Sequence, residues 1–253
     1  GAKVATTDLY DLASITKVTA TTLAVMKLYD EQKIDLSAAV GEYLTLDDSA
    51  TIKGLVISDI LTHQAGLKPF FEFFRSTIDT NFSKYYRTVP EDKFSTPVAE
   101  NLYIRNDYAD SMWRKMYTSE VKPDQGYVYS DIDFYILQKV VEHITQQQLD
   151  RYVTEHFYKP MGLMRTGYTP LNWYEKRQIA PTEDDKIFRK QTIRGFVHDP
   201  GAAMYGGVAG HAGLFSNAVD LAQVMQMLLN GGTYNGKRFL SANTITLFTK
   251  QHS

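Results

Sequence analysis

Asp11-Leu12-Ala13-Ser14-Ile15-Thr16-Lys17-Val18 is the stretch on which the reading of this chain turns. From Ser14 to Lys33 the apolar residues Ile15, Val18, Val25, Met26 and Tyr29 recur at helical spacing, with small residues between them. Tyr10, Leu12 and Ala13 form an apolar approach to that helix. Three positions along a helix correspond to about 60° around the axis and roughly 4.5 Å along it. The Lys17 ammonium can therefore fold back onto the Ser14 hydroxyl. A hydroxyl near neutral pH is a poor nucleophile unless a base removes its proton. A lysine serves as that base if its pKa falls from ~10.4 toward 7, a shift of about 4 kcal/mol. Desolvation and neighbouring positive potential are what lower it. The helix N-terminus supplies such potential, and free N–H groups there can hold an oxyanion. From spacing alone the pattern is weak, and Ser14 reads first as an N-cap with a solvated Lys17.

Working outward, 253 residues with 43% hydrophobic and 22% charged side chains suffice for a sizeable core and argue against disorder. There is no run of eighteen apolar residues to span a bilayer. The net charge is -2, with no basic excess to suggest nucleic acid. The absence of cysteine excludes disulfides, thiol catalysis and Cys-ligated metal.

Ser58 reads as an N-cap for a short helix through His63, with Gly66 as its stop. Residues 69–120 mix many charges with aromatics such as Phe70, Phe71, Phe73, Phe74, Tyr86 and Trp113, at poor periodicity. They read as an insertion of short helices and loops, with either a small core of its own or a wall over a substrate cleft. Asp131 begins a second strong helix, whose stripe is Ile132, Tyr135, Ile136, Val140 and Ile144. An amphipathic stretch over 148–157 follows, with Pro160 as its end. Residues 170–195 read as a charged loop. The glycines at 201, 206, 207, 210 and 213 mark a backbone bent several times or closely approached. Ser216 reads as the cap of a helix ending before Gly231-Gly232, and a last helix follows Ser241. Strand signals are scarce.

Taken together, five segments resemble the class C β-lactamase and penicillin-binding-protein-like serine hydrolases. Residues 11–18 look like the nucleophile helix of that family. Leu61-Thr62-His63-Gln64-Ala65-Gly66-Leu67 is similar to its Leu-Thr-His-x-Ser-Gly-Leu turn. Tyr129-Ser130-Asp131, with Phe134 and Leu137, resembles its Tyr-Ser-Asn box. Met161-Gly162-Leu163 is similar to its Leu-Gly-Met stop. Residues 212–216 with Asp220 look like its Gly-Gly-Leu-x-Ser segment. The order is right and nearly the whole chain is covered.

The resemblance implies an α+β fold and an acyl-transfer reaction. Ser14 would be the acylated nucleophile, Lys17 its base or proton relay, and Tyr129 the group that passes the proton to the leaving group. Asp131 stands where the pattern has Asn. A carboxylate near Lys17 favours the ammonium and works against a lysine base. Either Asp131 is protonated or turned away, or Tyr129 carries most of the base work. The family's third box, Lys-Thr-Gly or His-Thr-Gly, lies on a cleft strand and contacts substrate. His211-Ala212-Gly213 resembles it superficially but precedes the place where it belongs. Asp131, His211 and Gly213 are accordingly the candidate substrate contacts.

The chain is expected to be one β-lactamase-like domain, truncated at both ends. It would hold mostly the helical part, with most sheet strands missing, and have little turnover alone. His63 is expected to order its turn, and His198-Asp199-Pro200 leads into the glycine run, either as plain loop or within reach of the cleft. No His-x-x-x-His or His-Glu pair has metal spacing, which argues against a zinc site. No cofactor is implied. The expected substrate is an ester, a β-lactam or a D-amino-acid peptide, in a bacterial periplasm or envelope and as part of a longer protein. A second expectation is a catalytically silent relative that binds peptidoglycan fragments or a protein partner.

Overall fold

The strand Tyr10–Asp11 delivers the chain to Ser14 from the edge of a small antiparallel sheet. Its neighbour is Leu214–Ser216, which pairs on its other side with Gly167–Tyr168. The computed structural model describes residues 3–123 and 126–251. Past the strand, the backbone turns through Ala13 at φ +46° and enters a helix over 15–30. Its first part, Lys17–Thr22, is π-helical, and Leu23–Asp30 is α-helical. A π-helical turn is rare and often accompanies a functional site. Leu12 N–H donates to Leu214 O and Leu214 N–H to Thr16 Oγ1, at 2.9 and 3.1 Å. The turn that carries Ser14 is thus stitched to the sheet on both sides of it.

The helix Asp131–Thr145 packs against this one. Ser130 caps it, its side chain accepting from Ile132 N–H at 3.1 Å. Ile132, Phe134, Tyr135, Ile136, Leu137, Val140 and Val141 are all buried, so the helix is apolar around most of its circumference and runs through the core. Buried Gln138 shares that interior because its amide is used. It accepts from Gly210 N–H at 2.9 Å and donates to Val208 O at 3.1 Å. The glycine run is thereby held against the central helix.

Several expectations need correction. Residues 69–120 contain three strands as well as helices. Tyr86–Arg87, Leu102–Ile104 and Thr96–Ala99 form an antiparallel sheet with Leu102–Ile104 in the middle. Nor do their aromatics form a core of their own. Phe73 and Tyr86 belong to the principal hydrophobic cluster, and the Phe74 ring stacks on Phe188 at 5.4 Å. Residues 170–195 are not simply a loop: Pro181–Asp185 pairs with Gln191–Arg194 as a hairpin. Its first strand is acidic and largely exposed, which hides it from a hydrophobic pattern. Pro160 does not end a helix. It sits within Lys159–Met161, where its missing N–H is harmless, and Gly162 at φ +78° makes the stop. The cap of Ala218–Leu229 is Asn217, not Ser216. The early helix is Ile57–Leu61, capped by Val56 rather than Ser58. Gly66 lies beyond it, where a Cβ would stand 2.2 Å from Lys122 O. Among the described residues no helix is long and apolar enough to cross a membrane.

Candidate active site

Lys17 is the hub of the site. Its side chain is only 4% exposed, and its Nζ donates to Ser14 Oγ at 2.9 Å, to Asp131 Oδ1 at 2.6 Å and to His211 O at 3.4 Å. The ammonium also lies 4.6 Å from the centre of the Tyr129 ring, a cation–π contact. Ser14, Tyr129, Asp131 and the His211 carbonyl therefore converge on Lys17. Asp131 is not turned away. To accept the Ser14 proton, Lys17 must first lose one of its own, so the Ser14 hydrogen bond must reverse direction.

The N-terminal amides are less available than the sequence suggests. Ile15, Thr16 and Lys17 N–H donate to the carbonyls of Leu12, Ala13 and Ser14 at 3.0–3.1 Å. They are committed to turns and do not form a free oxyanion cradle. Gly213 also departs from expectation and does not line the cleft. At φ +114°, a Cβ there would stand 2.3 Å from Gly207 O. Glycine is required by backbone approach rather than by a substrate.

His63 stands behind Tyr129. Its ring centre is 4.5 Å from that of Tyr129, and its Nδ1 lies 2.7 Å from Asp133 Oδ2. Burial pushes the Asp133 carboxyl up to about 6 despite the opposing His63 contact. His63 thus orders more than its own turn, because it braces the tyrosine ring against the central helix.

The sequence gives Asp199 only as part of a segment within reach of the cleft, and Tyr135 only as part of a buried stripe. Asp199 caps the short helix Pro200–Met204, accepting from Ala202 N–H, and its Oδ1 lies 3.0 Å from His211 Nε2. Burial raises its carboxyl, but the His211 ring and the Ala202 N–H outweigh it and hold it down to about 2. Buried Arg189 fixes the approach to Asp199 by donating to the carbonyls of Val197 and His198 at 2.7 and 2.8 Å. Asp11 accepts from both Ala13 N–H and His198 N–H, tying that loop to the turn that carries Ser14. His198 itself faces away, half exposed beside Glu183. The only sequence signal for Asp199 was its place before Pro200 and the glycine run.

Phe70, Phe71, Phe73 and Phe74 line one side of a cleft of about 370 Å³, and Asp131, Tyr135, Asp199, Gly201 and His211 line it too. The start of the aromatic segment, residues 70–74, therefore walls part of this cleft, while the rest of it does not. A separate cavity of about 270 Å³ is lined by residues including Pro97, Tyr103, Leu171 and Phe196, and Asp131, Asp199 and His211 are not among them.

The family model described as Beta-lactamase matches residues 1–251. The chain belongs to the beta-lactamase family. It is 38% identical over 266 residues to an Escherichia coli (strain K12) protein named "Putative D-alanyl-D-alanine carboxypeptidase". That match covers 98% of the chain and 56% of the E. coli protein, so the chain spans about half the length of this curated relative. The octameric penicillin-binding protein homologue of Pyrococcus abyssi superposes with a TM-score of 0.66 at 20% identity, over 96% of the chain and 48% of that protein. A D-stereospecific amidohydrolase from Streptomyces gives 0.65 at 18% identity, over 94% and 64%. These structural likenesses establish the α+β, penicillin-binding-protein-like fold.

Proposed function

We propose that this chain carries the acylating centre of a serine hydrolase. The 2.9 Å contact between buried Lys17 Nζ and Ser14 Oγ is the observation that supports the reading most directly. In the reaction, Ser14 Oγ bonds to the substrate acyl carbon while its proton passes to neutral Lys17. The leaving group departs with a proton relayed through Lys17 and Tyr129, and water then releases the acyl group. The α+β domain would be one part of a longer envelope protein, working in a bacterial periplasm or at the cell surface. Esters, β-lactams and D-amino-acid peptides share the required acyl carbon. The names of the E. coli and Streptomyces relatives favour the last class, with a peptidoglycan-like substrate. The test is labelling of the full-length protein with a fluorophosphonate or a labelled penicillin, then peptide mass mapping. The expected adduct sits on Ser14.

One observation favours a second reading. The Asp131 carboxylate at 2.6 Å gives the Lys17 ammonium a partner that a base would have to give up. A silent relative that binds peptidoglycan fragments, or a protein partner, would keep this ion pair intact. Absence of label on Ser14 at high probe concentration, in a protein that still binds such fragments, would support it.

A further inference from the structure

Beside the nucleophile, three distant parts of the chain bring metal-ligating groups together. Asp131 begins the central helix, Asp199 caps Pro200–Met204, and His211 belongs to the glycine run. One donor atom of each lies within 4.8 Å of the other two. All three line the same cleft. His211 is 1% exposed, while both aspartates keep part of their surface.

An independent feature points to an occupant. The Tyr135 hydroxyl is buried and has no hydrogen-bond partner, and Tyr135 lines that cleft. A Cβ built on Gly201 would stand 2.9 Å from this hydroxyl and 3.2 Å from Asp199 Oδ1. The phenol and the carboxylate thus approach one point, which glycine leaves open. A buried polar group without a partner carries a desolvation cost. A ligand offering an acceptor or donor there would offset that cost.

We propose that Asp131, Asp199 and His211 bind one divalent transition-metal ion, best matched by zinc, with the Tyr135 hydroxyl facing the ion's remaining position. Two carboxylate oxygens and one imidazole nitrogen make the mixed set of three protein ligands that zinc accepts with a fourth place open. Calcium and magnesium prefer six or more oxygen ligands or a largely hydrated shell, which this trio does not supply. Charge agrees as well. Two carboxyl groups stand beside one ammonium, that of Lys17, which pairs with Asp131. Asp131 gives Oδ1 to Lys17 and has a second oxygen to offer. Local spacing could not show this site, because 68 and 12 positions separate its members.

The site does not depend on whether Ser14 is acylated, and its test reads metal rather than hydrolysis. Tag-free full-length protein is stripped with a chelator and titrated calorimetrically with zinc chloride. A parallel titration with cobalt(II) reads the visible absorption of a tetrahedral ion. The expected result is one zinc per chain. Asp199→Asn and His211→Gln should each weaken it by at least about tenfold, while Ser14→Ala should leave it unchanged. Asp199→Asn keeps an oxygen for the helix cap, so it decides the matter if His211→Gln fails to fold. No zinc uptake would overturn the proposal. Uptake of equal strength in Asp199→Asn would overturn it too, by placing the metal elsewhere, such as at the exposed His198–Glu183 pair.

Discussion

Asp131 Oδ1 lies 2.6 Å from Lys17 Nζ, across 114 positions of sequence. In the beta-lactamase family pattern this place is an uncharged amide, which can accept from an ammonium but holds it less firmly. Asp131→Asn is therefore expected to raise the rate of Ser14 acylation near neutral pH, by up to about tenfold, or 1.4 kcal/mol. Labelled-penicillin kinetics on the full-length protein, followed from about pH 5 to about pH 9, measure it against the ordinary lysine range. An unchanged pH–rate profile would show that the carboxylate does not govern Lys17.

Ser14→Ala should abolish the adduct. The mutation removes one oxygen from an exposed side chain, so the thermal midpoint should stay within about 1–2 °C, in keeping with small surface substitutions. A label that persists in this variant would place the nucleophile elsewhere.

Tyr129→Phe separates ring from hydroxyl. The ring contacts with Lys17 and His63 survive, so stability should barely change. If the hydroxyl relays the proton, acylation should fall by about 10²–10⁴-fold, the usual scale of acid–base catalysis. Retention of full rate in Tyr129→Phe would leave Lys17 as the sole relay.

Asp133 links the fold to pH. Its carboxyl is near 3.8 when unfolded and about 6 when folded. Between those values the folded state binds more protons, so this group's contribution is fully present below about pH 3.8 and lost as pH rises through about 6. Two units correspond to roughly 3 kcal/mol at most. Asp133→Asn keeps an oxygen for His63 and carries no charge. Its melting temperature relative to the unmodified protein should thus be more favourable at pH 7 than at pH 4. Equal differences at both pH values would contradict this.

Ala13 holds φ +46° immediately before Ser14, a region where an L side chain is strained. Ala13→Gly should relieve that strain and stabilise the protein by up to about 1 kcal/mol. Denaturant midpoints would measure it, and a loss of stability would mean that the Ala13 methyl makes a contact worth more than the strain.

The helices and the Ser14–Lys17 pair were legible because their signals are local. The apolar repeat of 131–144, the Ser241 start and a three-residue spacing all lie within a few turns of chain. The strands were not legible. Most are two to four residues long, too short for an alternating pattern to emerge, and Pro181–Asp185 is largely acidic. The hairpin's position depends on Arg189, whose pairing with Glu183, Asp185 and two carbonyls is a tertiary fact. Asp199 and Tyr135 were hidden for the same reason. Each occupies a position that local propensity already explains, as a helix cap and as part of a buried stripe, and only the folded chain turns both toward Asp131 and His211.

Gly210 is where these parts meet. Its N–H reaches Gln138, its carbonyl accepts from Thr21 at 2.7 Å, and a Cβ on it would stand 2.1 Å from Phe134 O. The opening helix, the central helix and the loop bearing His211 are thus spaced by bare main chain, which has no rotamer to yield. A single added methyl would act as a wedge, widening the gap between the imidazole and the carboxylates before it touched any reactive group. The tolerance of the whole corner is set by the thickness of one peptide.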